Sequence, residues 1–558
     1  MIRISCLKLS IGLVLVGVLA QGASLSAAPL PDAGSITQQL EQKRQRELPI
    51  PVFPKQVEEV VELPPLDPDR SVYISKIEFS GQESISLELL EQQFIDAQAQ
   101  DYDFARMKNL TEEVADFYQD RGLWAKVILP QQTLENGVLK VRIFEGRLGD
   151  VVIENTNPGG EPLKLSEQKI REFVVSGQVV GETFNILKFE DAVKNLNAVP
   201  GIAGTAVLRA GKEQGETDVF VRASNTPTLA GSLSIDRNGG KATGYNQATL
   251  SVSFDGVLGK GDQFTAMLLR SDLLAVTAVG ANFPIGSDGT RLGLNYTDIQ
   301  MDRDPLSNSS LVSINKPFVQ SAEMNVTGAL SWTRKNTPEE VDADVLALNG
   351  VFSWPDQLLG FDVVNSVNLT GTAGWQHKTD ALRSNPDIDA KGSLGLYQKV
   401  GFNLNQNITV NDKDQMALTL MGQYAFGNLE SGEKFGIAGL PAVRAYPGGE
   451  ASGDHGYFFS AKYQRQFNPL FAGRIFFDHG FVQANQNAWS DDPDNVGSAS
   501  FTQLSGVGLG ATLSYEGMIV NADLSTRLGN NPNPNADGLD SDGTLKEPRL
   551  WVSLMVPF

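Results

Sequence analysis

The residues of this chain that could do chemistry are three histidines, two acidic tracts, a glycine run and one isolated arginine. The histidines are His377, His455 and His479; the last two each follow an aspartate, which invites a metal reading. Their spacing fits neither a zinc nor a calcium site, so exposed or lumenal histidines are expected. DDPDN (491–495) and NPNADGLDSDG (533–543) carry the oxygen donors that calcium takes. Both lack the spacing and the terminal glutamate of an EF-hand, and they read as solvated loops. Gly506-Val-Gly-Leu-Gly has the look of a nucleotide loop, but its strict alternation places it inside a strand. The single cysteine, Cys6, permits neither an intramolecular disulfide nor a cysteine-based metal site. No catalytic group, metal or cofactor site emerges, and the chain reads as a non-enzyme. Arg444 remains, in GLPAVRAYPGGEASGDHG (439–456), a lone cation among apolar and glycine-rich neighbours. It requires a counter-charge from somewhere else in the chain.

The elements that could supply one are bounded by the composition. The 558 residues exceed one ordinary core, so several domains are expected. A net charge of -21 argues against nucleic acid, whose phosphates need a basic surface. At the N-terminus Arg3 and Lys8 precede the apolar run Ile11 to Ala20, and small residues follow to Ala28. That is the layout of a secretory signal peptide over 1–28, with Cys6 removed alongside it. Residues 29–47 contain a short polar helix, GSITQQLEQKRQRE, capped by Ser35; residues 48–70 form a proline-rich acidic linker.

Residues 71–147 predict the order β-α-α-β-β, and 148–224 predict it again at about the same length, a tandem repeat. From 225 to 558 the texture changes. Leu250, Val252 and Phe254 alternate with Thr249, Ser251 and Ser253; Val507, Leu509, Ala511, Leu513 and Tyr515 alternate with small residues. Strands of about ten residues with one apolar face are the signature of a transmembrane barrel. Toward the C-terminus, tight turns at Gly517 and at Asn468–Pro469 alternate with long Asp/Asn/Gly/Pro-rich loops, as the two rims of such a barrel require. About 20 residues per strand and connection gives about sixteen strands, enough for an aqueous lumen. On that count a loop of about 427–455 joins the eleventh and twelfth strands, too long for a mere connector. Ile475 and Phe477 mark the apolar face of one strand, so Arg474, Phe476 and Asp478 point to the lumen.

Over nearly its whole length the sequence resembles the two-partner secretion transporters, the haemolysin activation/secretion proteins of ShlB/FhaC/HecB type. The resemblance lies in the N-terminal helix and linker, in AKVILPQQTLENGVLKVRIFEGRL and NLNAVPG of two POTRA-like units, and in GSLSIDRNGGKATGYNQ at the barrel's start. In the family a loop between strands eleven and twelve folds into the pore and carries a Val-Arg-Gly-Tyr/Phe tetrad. Val443, Arg444 and Tyr446 match it, and Ala445 stands where the family has glycine. The resemblance pairs Arg444 with Asp478 in RIFFDHGF, and implies a C-terminal assembly signal at Trp551 and Phe558.

It therefore implies an outer-membrane translocator of a Gram-negative bacterium. Periplasmic POTRA units would capture an unfolded haemolysin- or adhesin-like exoprotein, and the barrel would export it without ATP while the 34–47 helix plugs the resting lumen. Implied partners are that exoprotein, the barrel assembly machinery and outer-membrane lipid or lipopolysaccharide, and no nucleic acid. The rival readings are a barrel assembly factor and a passive porin.

Overall fold

The computed structural model describes residues 71–558 except 214, 242, 303, 322, 338–340, 380–391, 441, 488–499 and 536. The expected signal peptide, helix and linker, and the 491–495 tract, lie outside the described residues.

The first unit runs β1 (Val72–Ile74), β2 (Lys76–Ser80), α1 (Leu87–Gln93), β3 (Gln100–Tyr102), α2 (Phe104–Gln119), β4 (Ala125–Ile128) and β5 (Val138–Glu145). Ser86 and Asp103 cap the two helices, their side chains accepting from Leu89 N and Arg106 N. Leu110, Val114, Phe117 and Tyr118 recur at helical spacing along α2, so one stripe of it is buried over the sheet. The order differs from β-α-α-β-β in one respect: a short β1–β3 pair stands apart from the β2-β5-β4 sheet. Ser75 is the cause. Its backbone N–H and its hydroxyl both donate into the 136–137 turn, which breaks the first strand in two.

The second unit runs β6 (Arg147–Asn155), α3 (Glu167–Val175), α4 (Ile186–Asn197), β7 (Ile202–Ala210) and β8 (Glu216–Asn225), with sheet order β6-β8-β7 and its own apolar core. Its contact with the next domain is close. Gly201 has φ +93, and a Cβ there would come within 2.9 Å of Gly256 Cα, so two backbones touch where a side chain would separate them.

The remaining chain closes the expected barrel. Its first eight strands are β9 (Leu229–Asp236), β10 (Gln247–Asp255), β11 (Gln263–Arg270), β12 (Leu274–Pro284), β13 (Arg291–Met301), β14 (Asp304–Gln320), β15 (Asn325–Asn336) and β16 (Val341–Leu358). Then come β17 (Phe361–Lys378), β18 (Gly395–Thr409) and β19 (Asp414–Ala425); two short strands inside a loop, β20 (Phe435–Gly436) and β21 (Ser452–Gly453); and β22 (His455–Asn468), β23 (Phe471–Gln483), β24 (Phe501–Tyr515), β25 (Met518–Arg527) and β26 (Arg549–Pro557). Sixteen strands form one closed antiparallel ring in which β26 pairs with β9. Phe558 extends that seam by exchanging backbone hydrogen bonds with Gly231, and its ring covers the glycine. Closure leaves no unpaired edge, which hydrocarbon would make costly. Leucine and isoleucine side chains such as Leu268, Leu348, Ile475, Leu509 and Leu550 are exposed on the outer wall, the surface lipid covers. The turns near the second unit are short, and the long 426–454 and 528–548 connections lie on the opposite rim.

Candidate functional site

The 426–454 loop joins the eleventh and twelfth barrel strands and folds inward. Phe435 and Gly436 pair with Gly453 and Ser452, making it a hairpin rather than a disordered flap. A turn beginning at Gly439 (φ +95) brings Val443 N onto Ile437 O at 3.0 Å. Val443, Ala445 and Tyr446 are buried with Ile437, Phe458, Val482 and Leu504, an apolar core built inside the lumen. That core fixes the backbone at 444 and leaves Arg444 to reach the wall.

Arg444 Nε donates to Asp478 Oδ2 at 2.7 Å and its Nη2 donates to Asp478 Oδ1 at 2.8 Å, a two-pronged ion pair. The side chains are only 8% and 1% exposed. Asp478 also accepts from Ser460 Oγ at 2.8 Å and from the backbone N–H of Arg444. The guanidinium lies 3.3 Å from the centre of the Phe476 ring. A second carboxylate, Asp523, stands 3.6 Å from Arg444 and accepts from Arg474 Nε at 2.7 Å. Two cations thus balance two anions, which is what makes burying them tolerable.

The main chain is held as firmly. Arg444 O accepts from Ser525 Oγ at 2.7 Å and from Trp551 Nε1 at 2.8 Å. Trp551 and Phe558, which sequence grouped together, face opposite ways: Trp551 is buried against the loop tip and Phe558 is exposed. Tyr446 lies beneath the Arg527 guanidinium, and Arg527 in turn is paired with buried Asp540, which also holds Arg549. The glycine run of β24 provides the room. A Cβ at Gly506 would lie 2.6 Å from the Ala445 methyl, one at Gly508 would strike the Phe476 ring, and one at Gly510 would strike Asp523 and Arg474. Ala445 itself has no positive φ, so its methyl strains nothing.

Sequence reasoning missed a second set of contacts. Glu433, in the same loop, is buried between Lys335 Nζ and Lys399 Nζ, each at 2.8 Å. Burial acts to raise the Glu433 pKa, but the two ammonium groups outweigh it and hold the carboxyl well below the ordinary range. Its neighbour Lys434 pairs with buried Asp454 at 3.0 Å. These partners are distant in sequence and belong to no motif; only lumen-facing parity on their strands could have singled them out. The histidines lie elsewhere. His455 stacks on Tyr424, His479 donates to or accepts from Ser505 on the outer wall, and His377 Nε2 is 3.8 Å from Asp344. Among the described residues no three histidine, cysteine or acidic side chains cluster as a metal site.

Residues 72–146 match the POTRA domain of ShlB type, and residues 318–513 match the haemolysin secretion/activation proteins ShlB/FhaC/HecB. Heme/hemopexin transporter protein HuxB of Haemophilus influenzae (strain 86-028NP) is 23% identical over 578 residues, covering 96% of each chain. The fold is that of CdiB from Escherichia coli, with a TM-score of 0.69 at 19% identity over 96% of this chain and all of that one. CdiB from Acinetobacter baumannii superposes at 0.63 and 17% identity, over 94% and 97% of the two chains. A POTRA-bearing, closed sixteen-stranded barrel with this inward loop defines an outer-membrane transporter of the two-partner secretion class, its POTRA part periplasmic. The similarity to the ShlB/FhaC/HecB haemolysin secretion/activation proteins spans residues 318–513, from the end of β14 into β24, and so takes in the inward loop.

Proposed function

We infer that this transporter captures one unfolded exoprotein in the periplasm and passes it through the barrel without ATP, outward folding of the cargo supplying the bias. The observation that carries this reading is the seating of the second POTRA-like unit. Its sheet is ordered β6-β8-β7, so β7 has a strand on one side only. It begins at Ile202, next to the Gly201–Gly256 contact with the barrel rim. An extended cargo segment added to that edge is therefore delivered to the mouth of the lumen, and strand addition reads backbone more than sequence. Arg444, held by Asp478, places the loop tip that shapes the conduit, with Val443 and Tyr446 as its footing. We read the chain as a non-enzyme, with the 29–47 region as a resting plug between the signal peptide (1–28) and the linker (48–70). Phe558 at the closing seam suits it to the barrel assembly machinery, and the apolar outer wall suits it to outer-membrane lipid. Removing residues 71–224 tests capture: the barrel is expected to reach the outer membrane while export of the partner exoprotein is lost. Normal export by the barrel alone would refute the reading.

A further inference from the structure

Among the attachments of the inward loop, which include Lys434 to Ala484 O and Asp454, two stand far apart in the ring. At the tip, Arg444 is held by Asp478 of β23, Ser525 of β25 and Trp551 of β26, the thirteenth, fifteenth and sixteenth strands. At the other attachment, Glu433 is held by Lys335 of β15 and Lys399 of β18, the seventh and tenth. In a closed ring of sixteen strands, the seventh and fifteenth stand opposite each other. With both attachments made, the loop is strapped across part of the lumen, from the seventh and tenth strands to the thirteenth, fifteenth and sixteenth, and narrows the path open to a polypeptide.

The chemistry of the two ends decides which gives way. The tip combines a planar two-pronged pair, a ring beneath the guanidinium, two bonds to its carbonyl and an apolar core. The other end rests on two lysines, compact charges on flexible stems that keep 18% and 16% exposure and so have water at hand when a bond breaks. Lys399 Nζ and Gln423 Nε2 also donate to Glu433 O, at 2.8 and 2.9 Å, so side chain and main chain let go together.

We propose that Glu433, Lys335 and Lys399 form a latch that must open for the exoprotein to pass, while the Arg444 end stays seated. Glu433 is then a positioning residue, and the inference rests on the export reading above. Two measurements on the full chain test it. Glu433→Cys with Lys399→Cys, in a Cys6→Ser background, is joined by a bis-maleimide with a cleavable centre, about as long as the side chains replaced, each thiol adding across one maleimide double bond. The linked protein is expected to remain in the outer membrane and secrete almost nothing, and cleavage of the linker restores secretion. Equal secretion by linked and cleaved protein would overturn the latch. In planar bilayers, Glu433→Gln is expected to raise the fraction of time spent open by about tenfold, the factor carried by one charge-assisted hydrogen bond. Open time equal to that of the unmodified protein would also overturn it. If the unmodified protein exports nothing, the export reading fails, and the conductance result alone decides the latch.

Discussion

Arg444→Ala and Asp478→Ala, separately and together, form the most informative perturbation. Removing one member of a buried pair costs about 3–5 kcal/mol, because the other charge is left uncompensated. Here neither survivor is wholly abandoned. Asp478 would keep the Ser460 hydroxyl and the backbone N–H at 444, and Arg444 would keep Asp523 at 3.6 Å and the Phe476 ring. Each single change is therefore expected at the lower limit, about 3 kcal/mol against the seated loop, or about 150-fold in its docking equilibrium. The double change removes both charges at once and should cost little more than either alone, leaving a coupling energy of about 2–3 kcal/mol. The readouts are protease protection of the loop in outer-membrane vesicles and the secretion rate, with barrel levels checked by heat-modifiable mobility. Partial recovery on exchanging the charges, Arg444→Asp with Asp478→Arg, would add support. Strictly additive losses would show that the two residues do not act as a pair, and the reasoning would fail.

Gly506→Ala should displace the loop tip, since its Cβ would fall 2.6 Å from the Ala445 methyl; overpacking of this kind costs about 1–3 kcal/mol. Secretion should fall, and Ala445→Gly in the same chain should restore it; no restoration would mean that the two positions are not in contact. Lowering the pH should leave the Glu433 attachment intact down to the ordinary glutamate value of 4.5. A folded-state pKa held below the unfolded one contributes its stability above that value and loses it as pH falls further. Loop protection that declines already between pH 7 and pH 5 in the unmodified chain, but not in Glu433→Gln, would contradict that assignment.

The Arg444–Asp478 pair was legible because two independent signals converge on it. The tetrad singles out Val443, Arg444 and Tyr446, and period-two alternation turns Asp478 inward. Alternation also placed the glycines of β24 in a strand, yet their use as a seat for Ala445, Phe476 and Arg474 depends on what stands opposite, which one strand cannot reveal. Glu433 was invisible for a related reason. Its partners are 98 and 34 residues away, and a lysine on a lumen-facing position usually meets water. Trp551 illustrates a third case: its position near the C-terminus carries no trace of the loop tip, whose Arg444 carbonyl accepts its indole N–H. The split of the first POTRA strand at Ser75 turns on hydrogen bonds to a turn some sixty residues later, beyond any local pattern.

Reconstitution tests the central claim most directly. The purified full chain is placed in liposomes, and the unfolded partner exoprotein is added on the POTRA side with no nucleotide present. The account predicts that the exoprotein becomes protease-protected on the far side when the wild-type chain is present, and far more slowly with Asp478→Ala. Protection that requires ATP, or that proceeds equally through a barrel lacking residues 71–224, would contradict it.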